Sequence, residues 1–164
     1  MEAEMPPRVK VGDVFEIPLS DGKKAYGQFV YDDKQMGPLV RVFDLTTHDV
    51  IDVDGLMCKL QEAGVLLGPL FTGVYAAIRT GLWRVIGHLP VKGFVYPGFL
   101  MVFYEGERVL GPWRLWNGEK EIVLGRRLPD EYKNREMLAV WAPSDVAERI
   151  ETGENPYRRI IQEG

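Results

Sequence analysis

The sequence predicts a mostly β fold of the α+β class, with a strongly bent antiparallel sheet or an SH3-like partial barrel, a second antiparallel sheet and two short helices. Two observations carry this prediction. Apolar and polar side chains alternate over several short segments, as is typical of strands with one buried face. Dipeptides such as Asp21-Gly22 and Asn117-Gly118 separate these segments and tolerate the positive φ of hairpin turns.

Three strands are predicted near the start of the chain. Apolar residues fall mainly at odd positions over residues 9–19, and Pro18 indicates that this strand ends there or lies at a sheet edge. After the turn at residues 20–23, residues 25–31 form the second strand and residues 39–43 the third. Short connections between such strands favour a strongly bent sheet or a small barrel.

A short helix is predicted at residues 54–64, where Leu56, Leu60 and Ala63 follow helical spacing. Asp54 is expected to cap its start, and Gly64 to end it. We expect this helix to cover an open end of the barrel.

A second block of strand signals follows the helix. They cover residues 74–78, 82–86, 99–104, 113–116, 121–124 and 137–141. A terminal helix is predicted from Pro143 or Ser144 to Gly153, because Val146 and Ile150 share one side and glycine commonly ends helices.

These elements are expected to form one domain over residues 9–164, after a flexible lead-in of residues 1–8. An N-terminal sub-sheet spans about residues 9–64, and a C-terminal sub-sheet with the terminal helix spans about residues 65–153. Residues 154–164 form a charged tail. A chain of 164 residues is long enough to bury one sizeable core.

Charge and composition bound the function. The formal charge is −4 and the pI is about 5.3, which argues against nucleic acid as a partner, because phosphate contacts need a basic surface. A single cysteine favours a reducing, cytoplasmic setting. No apolar run reaches the roughly 20 residues of a membrane-spanning helix, and the acidic start predicts no secretory signal.

Candidates for nucleophilic catalysis are Cys58, His48 and His88, since such catalysis needs a nucleophile placed against a base. Cys58 is expected to fill the core beside the helix, His48 to be solvated in a loop, and His88 to make a structural hydrogen bond. Their spacing favours no catalytic triad, so the sequence predicts a protein that is not an enzyme and needs no cofactor.

An acidic stretch at residues 44–55 carries Asp44, Asp49, Asp52 and Asp54 and contains no lysine or arginine. It fails as a calcium-binding loop, because Leu56 stands where the next acidic ligand is required, so no metal site is predicted. We expect the four aspartates to form a surface that a cationic partner recognises. The alternative is a solvated loop in which Asp54 only caps the helix.

Two tryptophans supply a second partner-binding candidate. Trp113 and Trp116 are three residues apart, so within one strand they face opposite sides of the sheet and at least one is less buried. Exposed tryptophans are enriched at binding hot spots. The alternative is that both belong to the core.

Three segments resemble the family-26 immunity proteins of bacterial polymorphic toxin systems. VGDVFEIPL at residues 11–19, continued by a glycine turn and AYGQ at 25–28, resembles the opening motif of the family. GLWRVIG at residues 81–87 is similar to its tryptophan-bearing motif, and APSDVAERI at residues 142–150 to its terminal helix. The motifs are explicable as fold, and the resemblance supplies no partner-binding residues.

The resemblance implies a cytoplasmic antidote that binds a cognate toxin domain, in many cases a nuclease, and performs no chemistry itself. An alternative is a small SH3-like barrel module that binds nucleic acid, for which Lys23, Lys24, Arg126 and Arg127 are the compact basic candidates. A third possibility is an enzyme that uses Cys58 with a histidine, which requires a reactive thiol.

Overall fold

A computed structural model describes residues 8–49 and 52–164 of the chain. Along this part the elements run in the order β1 (Asp13–Pro18), β2 (Lys24–Asp33), β3 (Gly37–Thr47), α1 (Val53–Glu62), β4 (Val65–Thr72), α2 (Val74–Arg79), β5 (Arg84–His88), β6 (Phe99–Met101), β7 (Tyr104–Glu105), β8 (Arg108–Val109), β9 (Trp113–Trp116), β10 (Glu121–Gly125), β11 (Val140–Trp141), α3 (Pro143–Thr152) and α4 (Arg158–Glu163). The predicted mostly β fold is confirmed.

The described residues divide into two compact units. Unit 1 comprises residues 8–94 and 140–152, and unit 2 comprises residues 95–139 and 153–164. That residues 9–164 form one folding domain stays a prediction.

A six-stranded sheet forms the centre of unit 1, in the order β11-β4-β3-β2-β1-β5. Neighbouring strands are antiparallel except for β11, which runs parallel to β4. Because β4 and β5 join this sheet, it extends past residue 64, and β11 and β5 form its two edges. Register shifts interrupt the β1–β5, β2–β3 and β3–β4 pairs, and such bulges bend strands and increase their twist.

Apolar side chains cover both faces of this sheet. In β2 every residue from Ala25 to Val30 is buried, so neither face of this strand is open to water. One cluster joins α1 to the sheet and consists of Val14, Tyr26, Phe43, Leu56, Leu60 and Leu89. A stacked pair, Phe15 and Trp83, has ring centroids 5.0 Å apart and planes 6° apart.

Two predictions about the helices of unit 1 are wrong. Residues 74–78, predicted as a strand, form α2, because Val74 and Ala77 bury one side of a helical turn and the Ala77 N–H donates to Gly73 O at 3.1 Å. A short β-branched segment cannot be told from a buried helical turn by periodicity alone. Asp52, and not Asp54, caps α1.

Unit 2 contains the second antiparallel sheet that the sequence predicts, in the order β10-β9-β6, and the hairpin β7–β8. The predicted turn at Asn117-Gly118 joins β9 to β10, with Gly118 at φ 95° and Asn117 Oδ1 accepting from two backbone N–H groups. The core is a cluster of Leu100, Trp113, Leu115, Leu128, Met137, Ile160 and Ile161.

Two predictions near the end of the chain need correction. The strand predicted at residues 137–141 is reduced to β11, and Met137 instead makes an isolated bridge with Leu100 in unit 2. Two helices were predicted, whereas the described residues form four, of which α4 lies in the predicted tail. α3 ends before Gly153 at φ 72°, as the sequence predicts. Among the described helices, none is long and apolar enough to cross a membrane.

Candidate partner-binding surface

Three of the four predicted partner-binding aspartates lie close to the N-terminal end of α1. Asp52 is the N-cap, and its Oδ2 accepts a hydrogen bond from the Gly55 N–H at 3.3 Å. Asp54 lies in the first turn, and Asp49 precedes the N-cap by three residues. A carboxylate in this position also interacts favourably with the positive end of the helix dipole.

Asp44 lies near the other end of α1. Its backbone N–H donates to Gly64 O at 2.8 Å, and Gly64 follows the C-cap Ala63. Because α1 has ten residues, its ends are roughly 15 Å apart at 1.5 Å per residue. Asp44 therefore lies at the opposite end of α1 from the other three aspartates, and the sequence alone does not reveal this separation.

All four of these carboxylates are exposed, and none makes an ion pair with another described residue. Glu16 is different, since it pairs with Lys24 at 3.3 Å and with Arg84 at 3.2 Å. The charges around α1 are therefore not neutralised within the described chain and remain available to an external cation.

The two predicted tryptophans of β9 differ in burial. The strand alternates so that Trp113 and Leu115 face the core of unit 2, and Trp113 is 0% exposed. Trp116 lies on the opposite face and is partly exposed. The expected opposite facing is thus confirmed. Trp116 retains accessible surface for a partner, whereas Trp113 is enclosed by the core.

The candidate catalytic residues do not meet. Cys58 is exposed on α1, so the expectation that it fills the core is wrong. His88 Nδ1 lies 3.0 Å from Asp13 Oδ1, which is the structural hydrogen bond expected for it, and His48 is exposed as predicted. Within the described residues no hydrogen bond joins Cys58 to a histidine, and no group of three or more His, Cys, Asp or Glu side chains could hold a metal ion.

The basic candidates for nucleic-acid binding are partly neutralised. Lys24 pairs with Glu16, and Lys23 lies 3.7 Å from Asp21. Arg126 and Arg127 are exposed but belong to unit 2, whereas the two lysines belong to unit 1. The four basic candidates are therefore divided between the two units, two in each.

Unit 1 contains a cationic cavity that the sequence does not predict. Its volume is about 390 Å³, and it is lined by residues from β3, from the end of α1, from the segment after β5 and by Val65 at the start of β4. Arg41 on β3 lines the cavity, and its guanidinium donates two hydrogen bonds to the buried Gln28. The only sequence signal was one arginine within the apolar run LVRVF at residues 39–43.

Comparison with known protein families identifies the first part of the chain. The family described as Immunity protein 26 matches residues 10–94, which include β1 to β5 and just over half of the sequence. The motifs at residues 11–28 and 81–87 lie within this match, and the segment at residues 142–150 lies outside it. No curated protein and no solved structure matches the chain. The chain belongs to the Immunity protein 26 family.

Proposed function

We propose that this protein is an immunity protein that binds a cognate toxin domain of a polymorphic toxin system and neutralises it by stoichiometric protein–protein binding. Membership of the Immunity protein 26 family is the observation that carries this proposal. The proposed setting is the bacterial cytoplasm, where a single cysteine remains reduced. Neutralisation requires no chemistry from the immunity protein itself.

The acidic residues around α1 support a cationic partner surface. Asp49, Asp52 and Asp54 concentrate unpaired negative charge at one end of a helix that is anchored by the buried Leu56 and Leu60. Such charge accelerates association with a basic surface more than it strengthens the final complex. A nuclease is the toxin class we propose, because its substrate-binding cleft must be basic to bind phosphates.

Asp44 and Trp116 are further proposed contacts, one in each unit. Asp44 presents an exposed carboxylate at the far end of α1, and the partly exposed Trp116 offers apolar area on β9 of unit 2. Large aromatic side chains tend to limit dissociation, whereas exposed charges mainly affect association. Trp113 is proposed to support Trp116 indirectly, by fixing the strand on which it lies.

Co-expression tests this proposal. The chain is expressed with a panel of toxin domains, beginning with any domain encoded beside its own gene, and growth is recorded against a matched strain without the chain. We expect rescue against one toxin and an equimolar complex after purification. The toxin's activity should then fall linearly as the chain is added and vanish at equimolar concentration.

Two results would contradict the proposed function. The first is rescue against none of the panel, including the neighbouring toxin domain. The second is complete inhibition at a small fraction of the toxin concentration, because one molecule of a stoichiometric binder cannot silence many toxin molecules. The second result would indicate catalysis by the chain.

A further inference from the structure

The cavity of unit 1 combines a fixed cation with apolar walls. Arg41 and Lys92 supply positive charge, and Phe43, Leu60, Leu89 and Pro90 supply apolar surface. Its volume of about 390 Å³ lies within the range of roughly 300–1,000 Å³ that is usual for small-ligand pockets. The cavity can therefore hold a molecule or a side chain, and not merely a water.

A buried amide positions the guanidinium. Gln28 is 0% exposed, and its Nε2 donates to Leu89 O at 2.8 Å and to Gly12 O at 3.3 Å. This arrangement leaves Gln28 Oε1 as an acceptor for Arg41, which donates from Nε at 2.9 Å and from Nη2 at 2.6 Å. The Arg41 guanidinium also lies over the Phe43 ring, 5.4 Å from its centroid. The orientation of the guanidinium is thus fixed before any ligand binds.

Its charge, however, is not neutralised. Gln28 is a neutral partner, and no carboxylate of the described residues pairs with Arg41 or Lys92. Asp44 and Glu62 are sequence neighbours of lining residues but do not line the cavity themselves. Arginine carries five N–H donors, and Gln28 uses two of these directions, so donors remain for an anion. Burial lowers the pKa of the Arg41 guanidinium from its ordinary value, which agrees with a charge that lacks a compensating anion.

We propose that this cavity is an anion-binding site that takes a carboxylate carried on an apolar stem. The planar guanidinium matches a carboxylate in two parallel hydrogen bonds, and Lys92 adds a second charge at an exposed position. Phe43, Leu60 and Leu89 bury the stem. The carboxylate comes either from a free carboxylic acid or from an acidic side chain of a protein partner.

Heteronuclear NMR titration of the full chain tests this site without any toxin. The probes are hexanoate and hexanamide, which share their stem but differ in charge, together with inorganic phosphate. We expect hexanoate to shift the Arg41 Nε–H signal and the Val65 and Leu89 amides saturably. We expect hexanamide and phosphate to bind about tenfold more weakly or not at all, since a charge-assisted pair is stronger than a neutral one.

Variants separate the cavity from general charge effects. Arg41→Gln should abolish the hexanoate response, whereas Arg84→Gln removes an equal charge outside the cavity and should leave it intact. Lys92 is exposed, so Lys92→Gln is expected to fold normally. It should weaken hexanoate binding about threefold, which is the usual effect of removing one surface charge. Arg41→Lys retains charge without the planar fork and should bind less tightly than the unmodified chain.

The outcomes assign or remove the site. Equal responses to hexanoate and hexanamide, or a hexanoate response that survives in Arg41→Gln and is not weakened in Lys92→Gln, would overturn the inference. Tighter phosphate than hexanoate binding would also overturn it. A blocked peptide with one glutamate, compared with its glutamine counterpart, distinguishes the two sources of the carboxylate. Tighter binding of the glutamate peptide than of hexanoate assigns the site to a protein side chain, whereas tighter binding of hexanoate assigns it to a free carboxylic acid.

Discussion

The close approach of Gly27 to Phe15 gives the sharpest prediction for stability. Gly27 on β2 lies directly opposite Phe15 on β1, and a Cβ at Gly27 would lie 2.5 Å from Phe15 Cε2 and 2.7 Å from Cζ. Real Cβ atoms are not found this close to other heavy atoms, so the ring or the strand must move. The Phe15 ring is fully buried and stacked on Trp83, whose centroid is 5.0 Å away, and it cannot move without displacing that ring.

We therefore expect Gly27→Ala to destabilise the protein by about 3 kcal/mol, at the upper end of the usual range for overpacking. This is a large part of a typical unfolding free energy of roughly 5–15 kcal/mol. Phe15→Leu alone should cost about 2 kcal/mol through lost contact area and lost stacking. If the clash with the ring is the cause, the double variant should cost much less than the sum, with a coupling of about 2 kcal/mol.

Urea unfolding followed by tryptophan fluorescence measures these free energies. Gly64→Ala is the matched control, because nothing lies within 4 Å of its added Cβ and its φ is not positive. It should change the unfolding free energy by less than about 0.5 kcal/mol or raise it slightly. Additive costs for Gly27→Ala and Phe15→Leu would refute the explanation by steric conflict, as would a Gly27→Ala variant no less stable than the control.

Two further predictions concern charge. The triple change of Asp49, Asp52 and Asp54 to Asn should slow association with the cognate toxin about tenfold at low salt and make the association rate less dependent on salt, whereas Asp44→Asn alone should have a smaller effect. Asn at position 52 can still cap α1, so the triple variant should keep this helix. Equal association rates of the variant and the unmodified chain in stopped-flow mixing would exclude this end of α1 from electrostatic steering. The pKa of Tyr157 is raised mainly by burial and then by the neighbouring Tyr104, so the folded state favours the neutral phenol. The contribution of Tyr157 to stability is therefore complete at a pH below the pKa of tyrosine in the unfolded chain, which is about 10. That contribution is lost as the pH rises through the higher folded value, so Tyr157→Phe should reduce the alkaline loss of stability in a pH series of urea melts, and an unchanged slope would contradict the assignment.

Local patterns predicted the parts of the fold that depend on local chemistry. Asp21-Gly22 and Asn117-Gly118 identify hairpins because few residues other than glycine adopt the positive φ that these turns require, and both glycines do adopt it. β9 and β10 were placed within a residue of their bounds by their alternation and the turn between them. Leu56 and Leu60 identified α1 because both lie on the face that packs on the sheet.

Features that depend on tertiary contacts were not predictable in the same way. Val74 and Ile78 are β-branched and favour a strand locally, but burial of Val74 and Ala77 on one helical face decides for α2. The capping choice between Asp52 and Asp54 depends on which residue has its side chain directed at a free N–H, which sequence spacing does not fix. Arg41 reads as an exposed polar residue until the pairing of β2 with β3 places Gln28 beside it.

α1 links the two charged features of unit 1 and so constrains any partner that uses both. Asp52 and Asp54 lie at its N-terminal end, while Leu60 and Ala63 at its C-terminal end line the cationic cavity of Arg41. The helix length separates these features by roughly 15 Å. If the cavity takes a side chain of the toxin, that toxin must present basic groups and one acidic group at this spacing, and opposite charges at fixed separation allow only one orientation. The variant that combines Arg41→Gln with the triple Asn change would then lose at least as much binding free energy for the toxin as the two separate variants together. An Arg41→Gln protein that binds the toxin normally would show that the cavity serves a different ligand.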